Sequence, residues 1–276
     1  MNAYASTAAR AERSQPVHIG DHLREWRQRR HLSQLDLAGD AEISARHLSF
    51  VETGRAAPSR EMVLKLAERL EVPLRERNVL LVAAGFAPAF PQRPLDDPAL
   101  KSARAAIDLV LRAHEPNPAL AYDRHWNLVT ANRMVAPLLE GLPPHLLGQP
   151  LNILRLAFHP EGLAPRTVNL AEWSAHLLER LHHQCEATAD PELIKLYHDL
   201  KSYPLPARSR PVSPDNNVAI PFKLRSAGGE VLSFISTTMV FGTPVDITLQ
   251  ELALETFFPA DDLTAERMRQ IAASLA

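Results

Sequence analysis

Two proline-rich stretches, Phe86 to Pro98 (FAPAFPQRPLDDP) and Tyr203 to Pro214 (YPLPARSRPVSP), limit every fold open to this chain, because no helix continues through either. Before the first break the apolar residues recur at helical spacing. After the second they alternate with period two among β-branched and aromatic residues. The two parts are built differently, which places a domain boundary near Phe90. A length of 276 residues at roughly 150 per domain also predicts about two domains. The composition, 23 Pro against 10 Gly, favours enforced breaks between helices over phosphate-cradling loops, and no GxGxxG, GxxxxGK[ST], GxSxG or HExxH occurs.

Lys and Arg total 30 against 32 Asp and Glu, a formal charge of -2 that taken whole argues against a basic nucleic-acid binder. The average hides an asymmetry. Before Pro94 the count is 14 against 11, a net of +3, and from Pro94 onward it is 16 against 21, a net of -5. One cysteine, Cys185, can form neither an internal disulfide nor a four-cysteine zinc site. The first residues carry no apolar stretch of signal-peptide type, and the longest nearly apolar run, Val79 to Pro91, is too short to span a bilayer. These features lead us to expect a cytoplasmic protein with no membrane partner, disordered over residues 1–16.

In the first part, Ile19, Leu23 and Trp26 define one helix, with Arg27, Arg29 and Arg30 at its end where cations suit the helix dipole. Ser33 is an N-cap with Asp36 three residues on, flanked by the staple pair Leu32 and Leu37, and it predicts a second helix from Gln34 to about Ala41. Ser44, flanked by Ile43 and Leu48, starts a third that Gly54 stops. Ser59 caps a fourth along Val63, Leu66, Ala67 and Leu70, and a fifth runs from Pro73 to Ala84. Two short capped helices, with the small Ala38 where they cross, make a helix-turn-helix.

The segment from Leu32 to Val72 resembles the Cro/C1-type, or XRE-family, DNA-binding domain in its LSQ opening, its serine-started third helix and its E-x-G-R-x-x-P-S stretch. Glu42 departs from the pattern, standing where the family has a left-handed Gly, at a cost of roughly 1 kcal/mol. With the third helix in the major groove, Ser44, Ala45, Arg46 and Ser49 face base edges, and Arg46 is the candidate for a bidentate guanine contact. The resemblance implies that Gln34 binds a phosphate and braces the third helix. Ser33 at the cap and Arg55 after the third helix join the candidate DNA-binding residues as positioning contacts. The other reading of Arg46 is a solvated helix residue.

The second part opens with a helix from Asp97 to His114, then strand, turn and strand over Ala119 to Asn132. About eighty helical or irregular residues follow, and then three strands over Val218 to Arg225, Glu230 to Phe241 and Leu249 to Phe258. This order resembles the PAS-type sensor fold, and the whole chain is similar to regulators with a MmyB-like ligand-binding domain. The implied architecture is multidomain: an all-α five-helix helix-turn-helix domain at 17–86, a Pro-rich linker at 87–97, and an α+β PAS-like domain at 98–276 with an antiparallel sheet of about five strands. The implied function is a homodimeric transcriptional regulator of operator DNA, not an enzyme, that senses a small apolar ligand, a fatty acid or acyl compound, and requires no other cofactor.

Candidate lining residues for that ligand are Leu154, Phe158, Trp173, Leu177, Tyr197, Phe222 and Phe234, although apolar residues at these spacings are more often core. Arg155 either meets a carboxylate or pairs with an acidic neighbour. His176, Glu179, His183 and Glu186 share a helical face near His182 and Cys185 at metal-ligand spacing, which keeps open a second reading, a helix-turn-helix module fused to a metal-binding or enzymatic domain.

Overall fold

The computed structural model describes residues 18–188, 190–206 and 220–275. The expected disorder of residues 1–16, most of the second proline-rich stretch and the first residues of the expected Val218 strand lie outside them. The chain divides between Phe90 and Pro91 into two compact units.

The first unit is all helical: α1 (Ile19–Arg29), α2 (Gln34–Asp40), α3 (Ala45–Glu52), α4 (Arg60–Arg69) and α5 (Leu74–Ala83). Ser33, Ser44 and Ser59 each accept the backbone N–H three residues on, and Ser33 with Asp36 closes a reciprocal capping box. All five helices end alike, with a residue in the left-handed region (His31, Glu42, Gly54, Glu71, Gly85). The next N–H then bonds back across the last turn, from Leu32 to Arg27, Ile43 to Ala38, Arg55 to Phe50, Val72 to Ala67 and Phe86 to Leu81. Three of the five left-handed residues are not glycine, so the strain expected at Glu42 recurs at His31 and Glu71. In four of the ends the residue that bonds back is apolar and packs on the core of Leu23, Leu37, Leu48, Val51, Leu66 and Leu80. That burial offsets the strain.

Asn78 of α5 donates its amide to the Phe90 carbonyl at 2.7 Å and accepts from the Ala89 and Phe90 N–H groups. In the second unit, Arg93 pairs with the buried Asp246 at 3.0 Å and Ile247 N–H donates to the Pro91 carbonyl.

The second unit contains α6 (Lys101–Ala113), β1 (Ala119–Tyr122), β2 (Leu128–Ala131), α7 (Ile153–Phe158), α8 (Leu170–Thr188), α9 (Pro191–Lys201), β3 (Phe222–Arg225), β4 (Val231–Val240), α10 (Ile247–Gln250), β5 (Ala253–Pro259) and α11 (Asp262–Ser274). The strands form one antiparallel sheet of order β2-β1-β5-β4-β3. Both faces are covered near β1. Ala119 and Ala121 are small enough to seat Ile107 and Leu111 of α6, while Leu120 and Tyr122 face the main core shared with α7, α8, α9 and α11.

The expected strand from Leu249 to Phe258 is corrected. Asp246 caps Thr248 N–H and winds Ile247–Gln250 into a helical turn, so the strand begins only at Ala253. Helix α11 lies beyond the expected strands and starts at a cap like those of the first unit, Asp261 accepting from Thr264 N–H.

Candidate nucleic-acid interface and ligand-binding core

Helix α3 presents two faces. Leu48 and Val51 are fully buried, whereas Ser44 and Arg46 are exposed and Ala45 and Ser49 half-exposed. What holds α3 is Glu52 at its end, whose side chain has no solvent exposure. Arg27 of α1 donates to both carboxylate oxygens at 2.7 and 2.9 Å, and Gln34 of α2 donates from Nε2 at 2.7 Å. Burial alone would raise the Glu52 carboxyl, but the bonds from Arg27 and Gln34 and the charges of Arg27 and Arg24 prevail and hold it below the ordinary glutamate range.

Gln34 therefore braces α3 through Glu52. Glycine is required at position 20 for the same junction: a Cβ there would lie 2.5 Å from the Val51 carbonyl oxygen and 2.6 Å from that of Glu52. The arginines at the end of α1 do more than complement a dipole. Arg27 makes the Glu52 pair, Arg29 pairs with Glu25, and Arg30 donates to the carbonyls of Leu70 and Glu71, capping the end of α4. Glu42, left-handed as its place requires, bonds Lys65 across the turn at 2.7 Å. Phe50 carries two cations over its ring, with the Arg46 Cζ 5.3 Å and the Arg55 Cζ 5.9 Å from the centroid.

In the second unit Leu154, Phe158, Trp173, Leu177, Phe222 and Phe234 come together in one buried cluster, with Tyr197 at its margin. Trp173 stacks on Phe222 at 5.1 Å, and Phe257 meets both Phe222 and Phe234. Tyr197 turns to His182, ring on ring at 5.3 Å. Arg155 pairs with Asp199 of α9, both partly exposed, so of its two expected roles the acidic neighbour is the one seen.

A different cation reaches this core. Arg180 of α8 donates to both carboxylate oxygens of Glu255 on β5, to the Tyr122 hydroxyl on β1 and to Thr238 on β4, and lies 4.7 Å above the Trp126 ring. Burial and the adjacent Glu255 push the Tyr122 phenol well above its usual range. Nothing local in the sequence signals that the partners of Arg180 lie on three strands.

The polar face of α8 does not converge on a cation site: His182 and His183 both turn to the exposed Glu186, and His176 lies beside Trp173. Among the described residues, no group of three or more His, Cys, Asp or Glu is placed to hold a metal ion. Burial and the charges of Asp190 and Glu186 raise the Cys185 thiol, opposite to what an activated nucleophile needs.

Residues 103–271 match the model of the MmyB-like transcription regulator ligand binding domain. The chain belongs to this family of MmyB-like regulators. Residues 18–80 match a helix-turn-helix domain. A helix-turn-helix joined to a ligand-binding domain makes this MmyB-like protein a DNA-binding transcription regulator. Among solved structures, the clp gene regulator ClgR from Corynebacterium glutamicum is 23% identical, covering 36% of this chain and 90% of that one at a TM-score of 0.22. An RNA-binding light-oxygen-voltage receptor is 12% identical over 93% of this chain and 63% of that one, at 0.28. Neither score is high enough for a shared fold to follow. Curated proteins gave no match. No described helix is long and apolar enough to cross a membrane.

Proposed function

We propose that residues 17–86 read operator DNA as one half of a homodimer and that residues 98–276 bind a fatty acid or related acyl compound that alters this binding. The observation that carries the DNA reading is α3 itself, exposed at Arg46 and locked from behind through Glu52. Arg46 is the base-reading residue, with Ser44, Ala45 and Ser49 around it. Ser33 and Ser44 use their oxygens as acceptors for the caps and keep their hydroxyl protons to donate, Ser33 to a phosphate oxygen and Ser44 to a base edge. Gln34 and Arg55 complete the positioning contacts. The residues before Pro94 carry a net charge of only +3, a small electrostatic footprint, which is why two half-sites about one turn apart are needed. The site of action is the cytoplasm, where that DNA lies. Replacing Arg46 by alanine is expected to weaken the selected site by about 1 to 3 kcal/mol while leaving random DNA little changed. Equal losses on both, measured by titration over a salt series, would make Arg46 a phosphate contact.

For the ligand, the supporting observation is the aromatic and aliphatic cluster of α7, α8 and the sheet with a cation at its edge. The acyl chain lies among Leu154, Phe158, Trp173, Leu177, Phe222 and Phe234. Its polar head is directed to a cation at that edge, Arg155 or Arg180, which are ion-paired to Asp199 and Glu255 respectively. Solvent extraction and mass spectrometry of the purified protein are expected to recover an acyl compound in near-equal amount. Stoichiometric zinc without lipid would favour the metal-binding reading instead.

A further inference from the structure

The end of α3 differs from the other four helix ends of its unit in one residue. Each closes with the same backward hydrogen bond, and in this motif the residue donating that bond ordinarily makes an apolar contact with the residue accepting it. Leu32, Ile43, Val72 and Phe86 fill the donating place at the ends of α1, α2, α4 and α5 and pack on the core. At the end of α3 the place belongs to Arg55, and the accepting residue is Phe50. The Phe50 carbonyl takes the Arg55 N–H at 2.8 Å and the Ala56 N–H at 3.1 Å, so the loop after the helix folds back over this residue. The contact between the two side chains is made by a guanidinium over a ring instead of by two apolar groups, at 5.9 Å.

The same ring serves a second arginine. Arg46 lies one helical turn earlier on the same face, where residues four apart are neighbours, and its Cζ stands 5.3 Å from the centroid. Phe50 is half-buried and Arg46 and Arg55 are exposed, so the ring is a surface platform and its loss leaves Leu48 and Val51 in the core. A long arginine free in water loses rotamer freedom when it docks on DNA. One already held over an aromatic face has given up part of that freedom in the folded protein.

We infer that Phe50 is a positioning residue for DNA recognition, holding the base-reading Arg46 and the backbone-contacting Arg55 on one aromatic platform in the geometry they use on the duplex. The inference rests on the assignment of those two arginines to DNA. Phe50 acts through them, so its removal lowers affinity for the selected sequence and broadens the base preference at the pair read by Arg46.

The test uses the full chain and a duplex selected by the wild-type protein from a random-sequence pool. Binding is measured for Phe50→Leu, Phe50→Tyr, Arg46→Ala, Arg55→Ala and the doubles of Phe50→Leu with each arginine variant. Thermal melting establishes that each variant is folded. Leucine keeps an apolar side chain and removes the ring, and it is expected to weaken the selected duplex roughly fivefold. Tyrosine keeps the ring and should restore affinity to within about twofold. Each double variant should lose less than the product of its two single losses, because the ring then has one arginine left to hold instead of two. Losses that multiply independently in the doubles, or a tyrosine variant as weak as leucine, would overturn the inference. An Arg46→Ala protein that binds the selected duplex normally would refute the base-reading role of Arg46, and the Arg55 cycle would then decide the role of Phe50 alone.

Discussion

Replacement of Glu52 by alanine should destabilise the N-terminal unit by about 3 to 5 kcal/mol, the cost of leaving a largely buried guanidinium without its counter-charge. Arg27 is only 11% exposed at its side chain, so it cannot recover its hydration by turning outward. Gln34 loses the acceptor for its amide in the same step. The loss reaches DNA binding, since Glu52 ties α3 to both α1 and α2. Calorimetry of the full chain, following the transition that the Glu52 substitution shifts, measures it. A shift worth under about 1 kcal/mol would mean that the pair is screened like an exposed one. The pair also has a pH signature. Its carboxyl is held below the unfolded value, so its stabilisation is complete above about pH 4.3 and fades as the pH falls toward the depressed native value. Glutamine at position 52 should flatten that acid limb.

Phe234→Ala is expected to cost about 3 to 5 kcal/mol in the second unit. Phe234 is fully buried, faces Phe222 across the β3–β4 register and meets Phe257 nearly edge to face at 6.2 Å. The space it leaves adds a cavity term to the transfer term. The measurement also separates two meanings of the apolar cluster. A core position loses stability with or without acyl ligand. A wall of the acyl chamber loses it too and changes ligand uptake besides.

Much of the first unit was legible because its signals are local. A serine followed three residues later by the N–H it accepts, or a staple pair five apart, lies within one or two helical turns and needs no knowledge of the rest of the chain. The left-handed ends at His31 and Glu71 carry no glycine to mark them. The apolar residue that follows, Leu32 or Val72, is the better sign. In the second unit the alternation of β3 and β4 was readable, but β1 is buried on both faces and Ile247–Gln250 is helical. One cap at Asp246, buried by a partner at Arg93 far back in the chain, outweighed strand propensity.

The amino-acid sequence alone determined that this chain carries a capped helix-turn-helix with Arg46 on its outer face, then an antiparallel sheet interrupted by helices. Caps, staples and periodicities are interactions of near neighbours, and near neighbours are visible in a string. Only the tertiary structure decided which charges are structural. Glu52 takes Arg27 from 25 residues away and Gln34 from 18, Arg180 finds Glu255 after 75, and Arg155 is claimed by Asp199 after 44. An ionised side chain accepts any partner of opposite sign, and burial selects among them once the helices have packed. The ring of Phe50 was equally indifferent in the sequence. The turn that follows α3 brings Arg55 back over it, and with Arg46 already alongside, an ordinary helix end becomes a platform for two cations.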